Sequence, residues 1–184
     1  IQKVSERAQA DDIEVYLVGG VVRDLLLGRT NFDIDFVVEG NAIEFADKIH
    51  AALGGEVTAF KPFGTAKWKP KELSNTGSSL EHIDFASARY EFYDHPTALP
   101  TVYNSSIKLD LQRRDFTINT LAVQLSPASA FGRVVDFYGG LRDLDAKLIR
   151  VLHSLSFIDD PTRILRSMRF AHRLEFVIES RTGE

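Results

Sequence analysis

Hydrophobic residues recur along the chain with two spacings that alternate from one segment to the next. Some segments place apolar side chains every three or four positions, as an amphipathic helix does, and others are short apolar runs typical of buried strands. The helical pattern covers residues 1–10, 20–27 and 41–53, and the strand pattern covers residues 13–18 and 33–38. Asn41 before the third helix is a good cap, and Gly54-Gly55 after it are a good end.

Beyond residue 55 the same reasoning predicts a second set of elements. The predicted strands are a hairpin of Glu56–Phe60 and Thr65–Lys69 and a strand over 82–89, and residues 148–152 are predicted as a short strand or an extended link. The predicted helices are 115–125, a turn with a short helix over 136–145, and the chain from 159 onward; 70–79 and 94–106 are predicted loops. This alternation of strands and helices indicates an α/β fold that continues into helical structure.

Composition narrows the class of protein. The chain has 184 residues, of which 44% are hydrophobic and 26% are charged, as in an ordinary globular protein. No apolar run reaches the roughly 18 residues of a membrane span, and no cysteine is present for a disulfide, a thiolate zinc site or a nucleophile. The absence of cysteine fits the cytoplasm, and the net charge of −4 argues against a generally basic surface that coats nucleic acid.

Two acids on one predicted strand are the most informative chemical feature. Asp33 and Asp35 alternate with Ile34, so they share one face, while Phe32 and Phe36 are expected to face the core. Two neighbouring carboxylates repel each other unless a cation lies between them. Just before them, Gly19-Gly20 open a helix whose free N–H groups suit a phosphate. The combination suggests metal-assisted phosphoryl or nucleotidyl transfer.

Asp84 and Arg23 extend this hypothesis. Asp84 lies in an apolar strand, where it is either a third carboxylate for the metal or an exposed position on that strand. Arg23 follows Gly20 by three residues, where a guanidinium can bind phosphate oxygens. Asp24, beside it, is expected to be structural and to pair with an arginine.

A second cluster contains Arg114, Asp115 and Asn119. On a helix, Asp115 and Asn119 would lie four residues apart on one face, next to the cation of Arg114, and could bind a triphosphate and a ribose. The alternative is that Asp115 only caps the helix.

The last cluster is an arginine stripe. Asp160 precedes Pro161, which favours a helix start. Four arginines then fall within about a third of the helix circumference, and they are Arg163, Arg166, Arg169 and Arg173. The opposite face, which should pack on the first domain, has Ile164, Leu165, Met168 and Ala171. The alternatives are planar recognition of phosphate or base edges and a solvated charged face.

Taken in order, these segments resemble the head and early neck of class II tRNA nucleotidyltransferases, the CCA-adding enzymes, and of bacterial poly(A) polymerases. The matching segments are LVGGVVRDLLLG (17–28), DIDFVV (33–38), DFASARYE (84–91), LQRRDFTINTLA (111–122), DFYGGLRDL (136–144) and IRVLHSLSFIDDPTRILRSMRFAHRLEF (149–176). The resemblance implies a nucleotidyltransferase head with a mixed sheet in residues 1–147 and the start of a helical neck in residues 148–184.

The resemblance also implies a reaction and its participants. The enzyme would add nucleotides from ATP or CTP to an RNA 3′ end, above all that of tRNA, without a template and with two Mg²⁺ ions. Mg²⁺ would be bound by Asp33, Asp35 and Asp84. The nucleotide would be bound by Gly19, Gly20, Arg23, Arg114, Asp115, Asn119, Asp160, Arg163, Arg166 and Arg169.

Other functions remain open at this point. Within the family the alternatives are poly(A) polymerase and a relative specialised for A or for CC. A second enzymatic alternative is an antibiotic- or protein-modifying nucleotidyltransferase, and a non-enzymatic alternative is a degenerate nucleotide-binding regulatory module. The family's base-selecting Glu-Asp-x-x-Arg element does not occur before Glu184, and the chain begins with Ile. We therefore expect a piece of a longer protein that has little or no activity by itself.

Overall fold

The structure is a computed structural model that describes residues 1–71, 80–92 and 101–183. Its helices are α1 (Gln2–Ala10), α2 (Gly20–Leu26), α3 (Ala42–Leu53), α4 (Ile107–Gln112), α5 (Gly140–Asp145), α6 (Ser156–Asp159), α7 (Thr162–Leu174) and α8 (Ser180–Gly183). Its strands are β1 (Glu14–Val18), β2 (Ile34–Glu39), β3 (Glu56–Phe60), β4 (Thr65–Lys69), β5 (Ile83–Ser87), β6 (Arg89–Phe92), β7 (Thr101–Asn104), β8 (Ala122–Gln124), β9 (Val134–Val135), β10 (Leu148–Ile149) and β11 (Val177–Ile178). None of the helices described is both long and apolar enough to cross a membrane.

A seven-stranded sheet forms the centre of the molecule, with the order β3-β4-β5-β2-β1-β8-β9. Strands β2 and β5 are parallel, and the other neighbours in this sheet are antiparallel. The sheet is therefore mixed, which confirms the predicted fold class. The predicted β3–β4 hairpin is also confirmed, residue for residue.

Helix α3 covers the part of the sheet that carries the parallel pair. Asn41 caps it by accepting hydrogen bonds from the backbone N–H groups of Ile43 and Glu44, and Gly54 ends it with a φ of 73°, as predicted. Phe45 on this helix packs edge-on against Phe85 of β5, with ring centroids 5.7 Å apart. Phe85 also stacks on Phe36 of β2 at 5.3 Å. These buried rings fix the two strands side by side.

The prediction of a helix over residues 115–125 is wrong. A short 3₁₀ turn, Thr117–Asn119, is followed by strand β8, which pairs with β1 and β9. Apolar side chains of the segment are buried in every direction, and they include Phe116, Ile118, Leu121, Ala122 and Leu125. A segment enclosed on all sides produces nearly the same apolar spacing as an amphipathic helix, because both contain few polar positions.

Three smaller predictions also change. Phe32, expected in the core, is 49% exposed because it lies in the loop before β2. The proposed loop over 94–106 contains strand β7, and α4 follows it, whereas residues 94–100 lie outside the described ranges. Most of the predicted loop over 70–79 also lies outside them.

The apolar face of α7 does not pack as predicted. Leu165 is 72% exposed and Met168 is 60% exposed. The contacts with the rest of the molecule come from Phe170, whose ring meets that of Phe116 at 5.7 Å, and from the buried Leu174. The arginine side of the helix therefore faces the sheet domain. The division between residues 147 and 148 stays a prediction.

Candidate active site

Three carboxylates meet at one end of the parallel strand pair. Asp33 lies in the loop that enters β2, Asp35 lies within β2, and Asp84 lies directly opposite Asp35 in the register of β5. One oxygen atom from each lies within 4.8 Å of the others. The prediction that Asp84 would reach the pair from a neighbouring strand agrees with this placement. Oxygen ligands clustered in this way fit a hard divalent cation.

The electrostatics of Asp35 favour a cation beside it. Burial, together with the charges of Asp33 and Asp84, raises the pKa of Asp35 to about 6, against the opposing effects of Arg114 and Lys67. A cation between the carboxylates would offset this repulsion and hold Asp35 in its ionised form. The three side chains therefore suit a metal ion on electrostatic as well as geometric grounds.

Two basic groups adjoin Asp84 that the sequence alone did not single out. Lys67 Nζ lies 3.4 Å from Asp84 Oδ1, and His82 Nε2 lies 3.1 Å from Asp84 Oδ2. They come from the neighbouring strand β4 and from the residue before β5. Alternation along a paired strand places Lys67 on the same face as Asp84, so the hairpin register could have identified it.

The glycine pair brings backbone close to the same point. Gly19 has a φ of 75°, and a Cβ atom there would lie 3.0 Å from Arg114 Nη1 and 3.9 Å from Asp35 Oδ2. Glycine is needed for both its positive φ and this close approach. Helix α2 begins at the next residue, Gly20, so its first N–H groups lie at the rim of the carboxylate site.

Arg23 is buried under the site and is not an exposed phosphate ligand. Only 2% of it is accessible. Its Nη1 atom donates to Asn119 Oδ1 at 2.6 Å, and its Nε atom donates to Asp24 Oδ1 at 2.8 Å. Asp24 also accepts from Asn31 Nδ2 at 2.7 Å, while Asn31 Oδ1 accepts from the backbone N–H of Asp33. The predicted pairing of Asp24 with an arginine is thus present, and Asn31 is a link to the carboxylate cluster that the sequence analysis missed.

Asp115 and Asn119 come together although no helix joins them. Asn119 Nδ2 donates to Asp115 Oδ1 at 2.9 Å across the 3₁₀ turn. Asp115 Oδ2 accepts from Arg166 Nη2 at 2.6 Å and from its Nε at 2.9 Å. Asp115 does not cap a helix, so that alternative is excluded; its carboxylate instead connects the sheet domain to α7.

Helix α7 contributes a different set of side chains from the one predicted. Asp160 accepts from the backbone N–H and hydroxyl of Thr162, and that hydroxyl is the main cause of the lowered pKa of Asp160. The residues of α7 that line the cavity are Arg163, Arg166, Phe170 and Arg173. Arg169 is exposed and does not line it. The spacing i, i+3, i+7, i+10 follows a single helix face and could have identified Phe170.

Phe170 is surrounded by arginine side chains. The guanidinium carbons of Arg23, Arg166 and Arg173 lie 5.1, 5.5 and 5.4 Å from its ring centroid. Cations within about 6 Å of an aromatic face are attracted to it. The ring therefore helps to hold several like charges close together.

These groups enclose a cavity of about 480 Å³. Its charged lining consists of six arginines, Arg23, Arg113, Arg114, Arg163, Arg166 and Arg173, and of four acids, Asp33, Asp35, Asp115 and Asp160. The acids Asp33 and Asp35 belong, with Asp84, to the cluster of three carboxylates. A cavity with cations along its walls and carboxylates at one edge suits an anionic ligand that arrives with a divalent metal.

Comparison with known proteins agrees with this arrangement. An A-adding tRNA nucleotidyltransferase of Geobacter sulfurreducens is 51% identical over 172 residues, which cover 93% of this chain and 18% of that protein. A structure described as "CCA-adding enzyme apo form II" is 47% identical with a TM-score of 0.89, covering 99% of this chain and 41% of that one. A tRNA nucleotidyltransferase complexed with a primer tRNA and an incoming ATP analog is 45% identical with a TM-score of 0.82, covering 98% of this chain and 47% of that one.

The chain thus spans less than half the length of each of these relatives. The family model of the Poly A polymerase head domain matches residues 15–150, which include the three carboxylates, the glycine pair and the Asp115–Asn119 turn. The chain belongs to the family of poly(A) polymerase head domains.

Proposed function

We propose that this chain is the catalytic head of an RNA nucleotidyltransferase that adds nucleotides from a nucleoside triphosphate to the 3′ end of tRNA. The observation that carries the proposal is the convergence of Asp33, Asp35 and Asp84 at the edge of an arginine-lined cavity. The reaction has the atoms it needs: the RNA 3′ oxygen bonds to the α-phosphorus, and the bond to the pyrophosphate oxygen breaks.

Mg²⁺ is the cofactor that this donor set fits best, because hard cations prefer carboxylate oxygens. Asp33, Asp35 and Asp84 would bind it, and the bound metal would lower the pKa of the attacking hydroxyl and offset charge on the leaving pyrophosphate. The raised pKa of Asp35 supports this role, since a bound cation would offset both the burial of the charged carboxylate and its repulsion by Asp33 and Asp84.

The chain's own cations and amides would hold the nucleotide. Arg114 beside Gly19 and Gly20 would contact the phosphates, and Arg166, held by Asp115, would do so from α7. Asp115 and Asn119 would face the sugar. Arg23 would hold Asn119 in position by donating a hydrogen bond to its side-chain oxygen.

Asp160 and Arg163 would shape the α7 side of the cavity. We leave Arg169 out of the site because its side chain is exposed and lies outside the cavity lining.

The choice of substrates follows from the relatives. Their names include both A-adding and CCA-adding enzymes at similar identity, so ATP and CTP are both proposed substrates. tRNA is the proposed acceptor because a neighbour at 45% identity is complexed with a primer tRNA. The cytoplasmic location stays a prediction.

The test uses the longest natural polypeptide that contains this chain. Transcripts of tRNA that lack their 3′ ends are incubated with Mg²⁺ and with ATP, CTP or both, and the products are sequenced. We expect one to three added nucleotides, and no addition by the Asp35→Ala variant. Asp47→Ala is the matched control, because Asp47 is an exposed acid on α3.

A long run of adenylates would instead identify a poly(A) polymerase. Absence of any addition, or full activity of the Asp35→Ala variant, would contradict the proposed catalytic site.

A further inference from the structure

One acidic side chain determines where Arg114 lies. Arg114 Nη1 lies beside Gly19, and the charge of Arg114 acts directly on Asp35. Among the residues that the structure describes, its side chain has one hydrogen-bond partner: Nη2 donates to Asp110 Oδ2 at 3.1 Å. Its Nε atom is buried and has no partner in those same residues. The position of this cation therefore depends on Asp110.

Asp110 is a carboxylate that is wholly buried, with no accessible surface. Its Oδ1 atom accepts from Arg113 at 2.7 Å (Nη2) and 3.1 Å (Nε), and from the backbone N–H of Arg89 at 3.4 Å. A buried charge is tolerated only where cations and hydrogen bonds surround it. Asp110 meets that condition by holding the two arginines that follow α4 at spacings of three and four residues.

Arg113, which also lines the cavity, shares Asp110 with Arg114, whereas the other arginines of the cavity have different anchors. Arg23 donates to Asp24 and Asn119, and Arg166 donates twice to Asp115. Arg163 donates to Ser156 and to the carbonyl oxygen of Arg113. Loss of Asp110 would therefore release Arg114 and remove the Asp110 contacts of Arg113, whereas the anchors of the other cavity arginines would stay in place.

We propose that Asp110 is a positioning residue, which holds Arg114 at the point where a nucleoside triphosphate would contact it. The identity of the ligand rests on the function proposed above, whereas the contact between the two side chains does not. The acid would act on the ligand only through the arginines that it holds, because Asp110 is buried and does not line the cavity.

The first experiment measures the order of the Arg114 side chain without any ligand. ¹⁵N relaxation of its Nε–Hε group, assigned with an Arg114→Lys variant, should show it to be far more rigid than Arg142, whose side chain is 73% exposed. Asp110→Asn keeps the volume of the side chain but removes its charge, and should make Arg114 as mobile as Arg142.

Asp143→Asn is the matched control for that substitution. Asp143 is an equally buried carboxylate, and it pairs with Arg150 at 2.9 Å away from the cavity lining. This variant should leave Arg114 rigid. A mobile Arg114 in the unsubstituted chain, or a rigid one in the Asp110→Asn variant, would overturn the proposal; the first of these results needs no variant to fold.

The second experiment measures ATP binding by calorimetry with Mn²⁺ present. Asp110→Asn should weaken binding about tenfold, as Arg114→Ala should, because both remove one charge-assisted contact. Arg113 is replaced by alanine in both members of the next comparison, because Asp110 holds that arginine too. In this Arg113→Ala background, adding Asp110→Asn to Arg114→Ala should weaken binding no further, since the acid then acts only through Arg114. A further loss in that background, or unchanged binding by folded Asp110→Asn, would overturn the positioning role.

The two experiments separate this proposal from the proposed function. If the unsubstituted chain does not bind ATP at all, the proposed function is contradicted, and the relaxation measurement still decides whether Asp110 holds Arg114.

Discussion

Replacing Asp35 by asparagine should stabilise the metal-free protein, and the gain should grow with pH. Burial raises the pKa of Asp35 from 3.8 to about 6. One unit of pKa difference corresponds to about 1.4 kcal/mol, so the ionised carboxylate costs the folded state about 2 to 3 kcal/mol. Asparagine has the same shape and no charge, and it does not incur this cost.

The sign of the pH dependence follows from the direction of the shift. Because the pKa is higher in the folded state, that state binds more protons than the unfolded state between about pH 4 and pH 6, and stability falls as pH rises through this window. Below it the side chain is neutral in both states. The free energy of unfolding of the Asp35→Asn variant, relative to the unsubstituted chain, should therefore rise by about 2 to 3 kcal/mol across the window and stay level above it.

Urea unfolding followed by circular dichroism at several pH values, with a chelator present, measures this difference. Burying the asparagine amide can add a cost to this free-energy difference, but that cost is the same at every pH, so it does not affect how the difference changes with pH. Asp47→Asn, the same chemical change at an exposed position, should show a difference that varies by less than about 0.5 kcal/mol. A difference that does not change with pH, or that falls as pH rises, would refute the electrostatic reasoning. Adding Mg²⁺ should then stabilise the unsubstituted chain and not the Asp35→Asn variant.

Three further substitutions test other parts of the site. Gly19→Ala should weaken ATP binding, because the added Cβ atom would meet Arg114. The control is Gly28→Ala, at a similar φ of 68° but in open space, which should lose only about 1 kcal/mol of stability and bind ATP normally. Equal ATP binding by the two variants would contradict the role of this contact. Arg166→Ala should weaken ATP binding at least tenfold by calorimetry, whereas Arg181→Ala, at an exposed position, should not weaken it. Equal ATP affinities in the two folded variants would indicate that the arginines of α7 form only a solvated charged face. Phe170→Leu should lower the free energy of unfolding by about 1 to 3 kcal/mol, because the ring packs on Phe116 and is contacted by several guanidiniums. If Phe60→Leu, at an exposed position, lowers the free energy of unfolding as much, the packing of Phe170 does not make this contribution.

Secondary structure was predicted most accurately for elements that have one face exposed to water. The β3–β4 hairpin and α3 alternate clearly between polar and apolar positions, and their bounds were predicted to within a residue. The segment from Phe116 to Leu125 has no exposed face, so its spacing could not distinguish a helix from a turn followed by a strand.

The residues of the candidate site that lie close together in sequence were predicted from local motifs. The contacts between residues far apart in sequence were not predicted. Asp33 and Asp35 are nearly adjacent in sequence, and their spacing alone places both on one face. Asp110 and Phe170 act on groups brought to them by the fold: Phe170 contacts Arg23 across a large separation in sequence. The packing of Leu165 and Met168 was predicted wrongly because the apolar face of a helix usually packs against the rest of the molecule, whereas here acids such as Asp115 pair with the arginine side and the apolar side is exposed.

The register between β2 and β5 has a consequence for how this protein can vary over evolution. Asp35 lies opposite Asp84, and the next position places Phe36 opposite Phe85. A slip of one residue would turn both the acid and the ring of one strand to the wrong face. A change of register that separated the stacked aromatic pair would therefore also separate the two carboxylates. The buried interior and the carboxylate cluster depend on one alignment of two strands, so any insertion or deletion that shifts this alignment would disturb both at once.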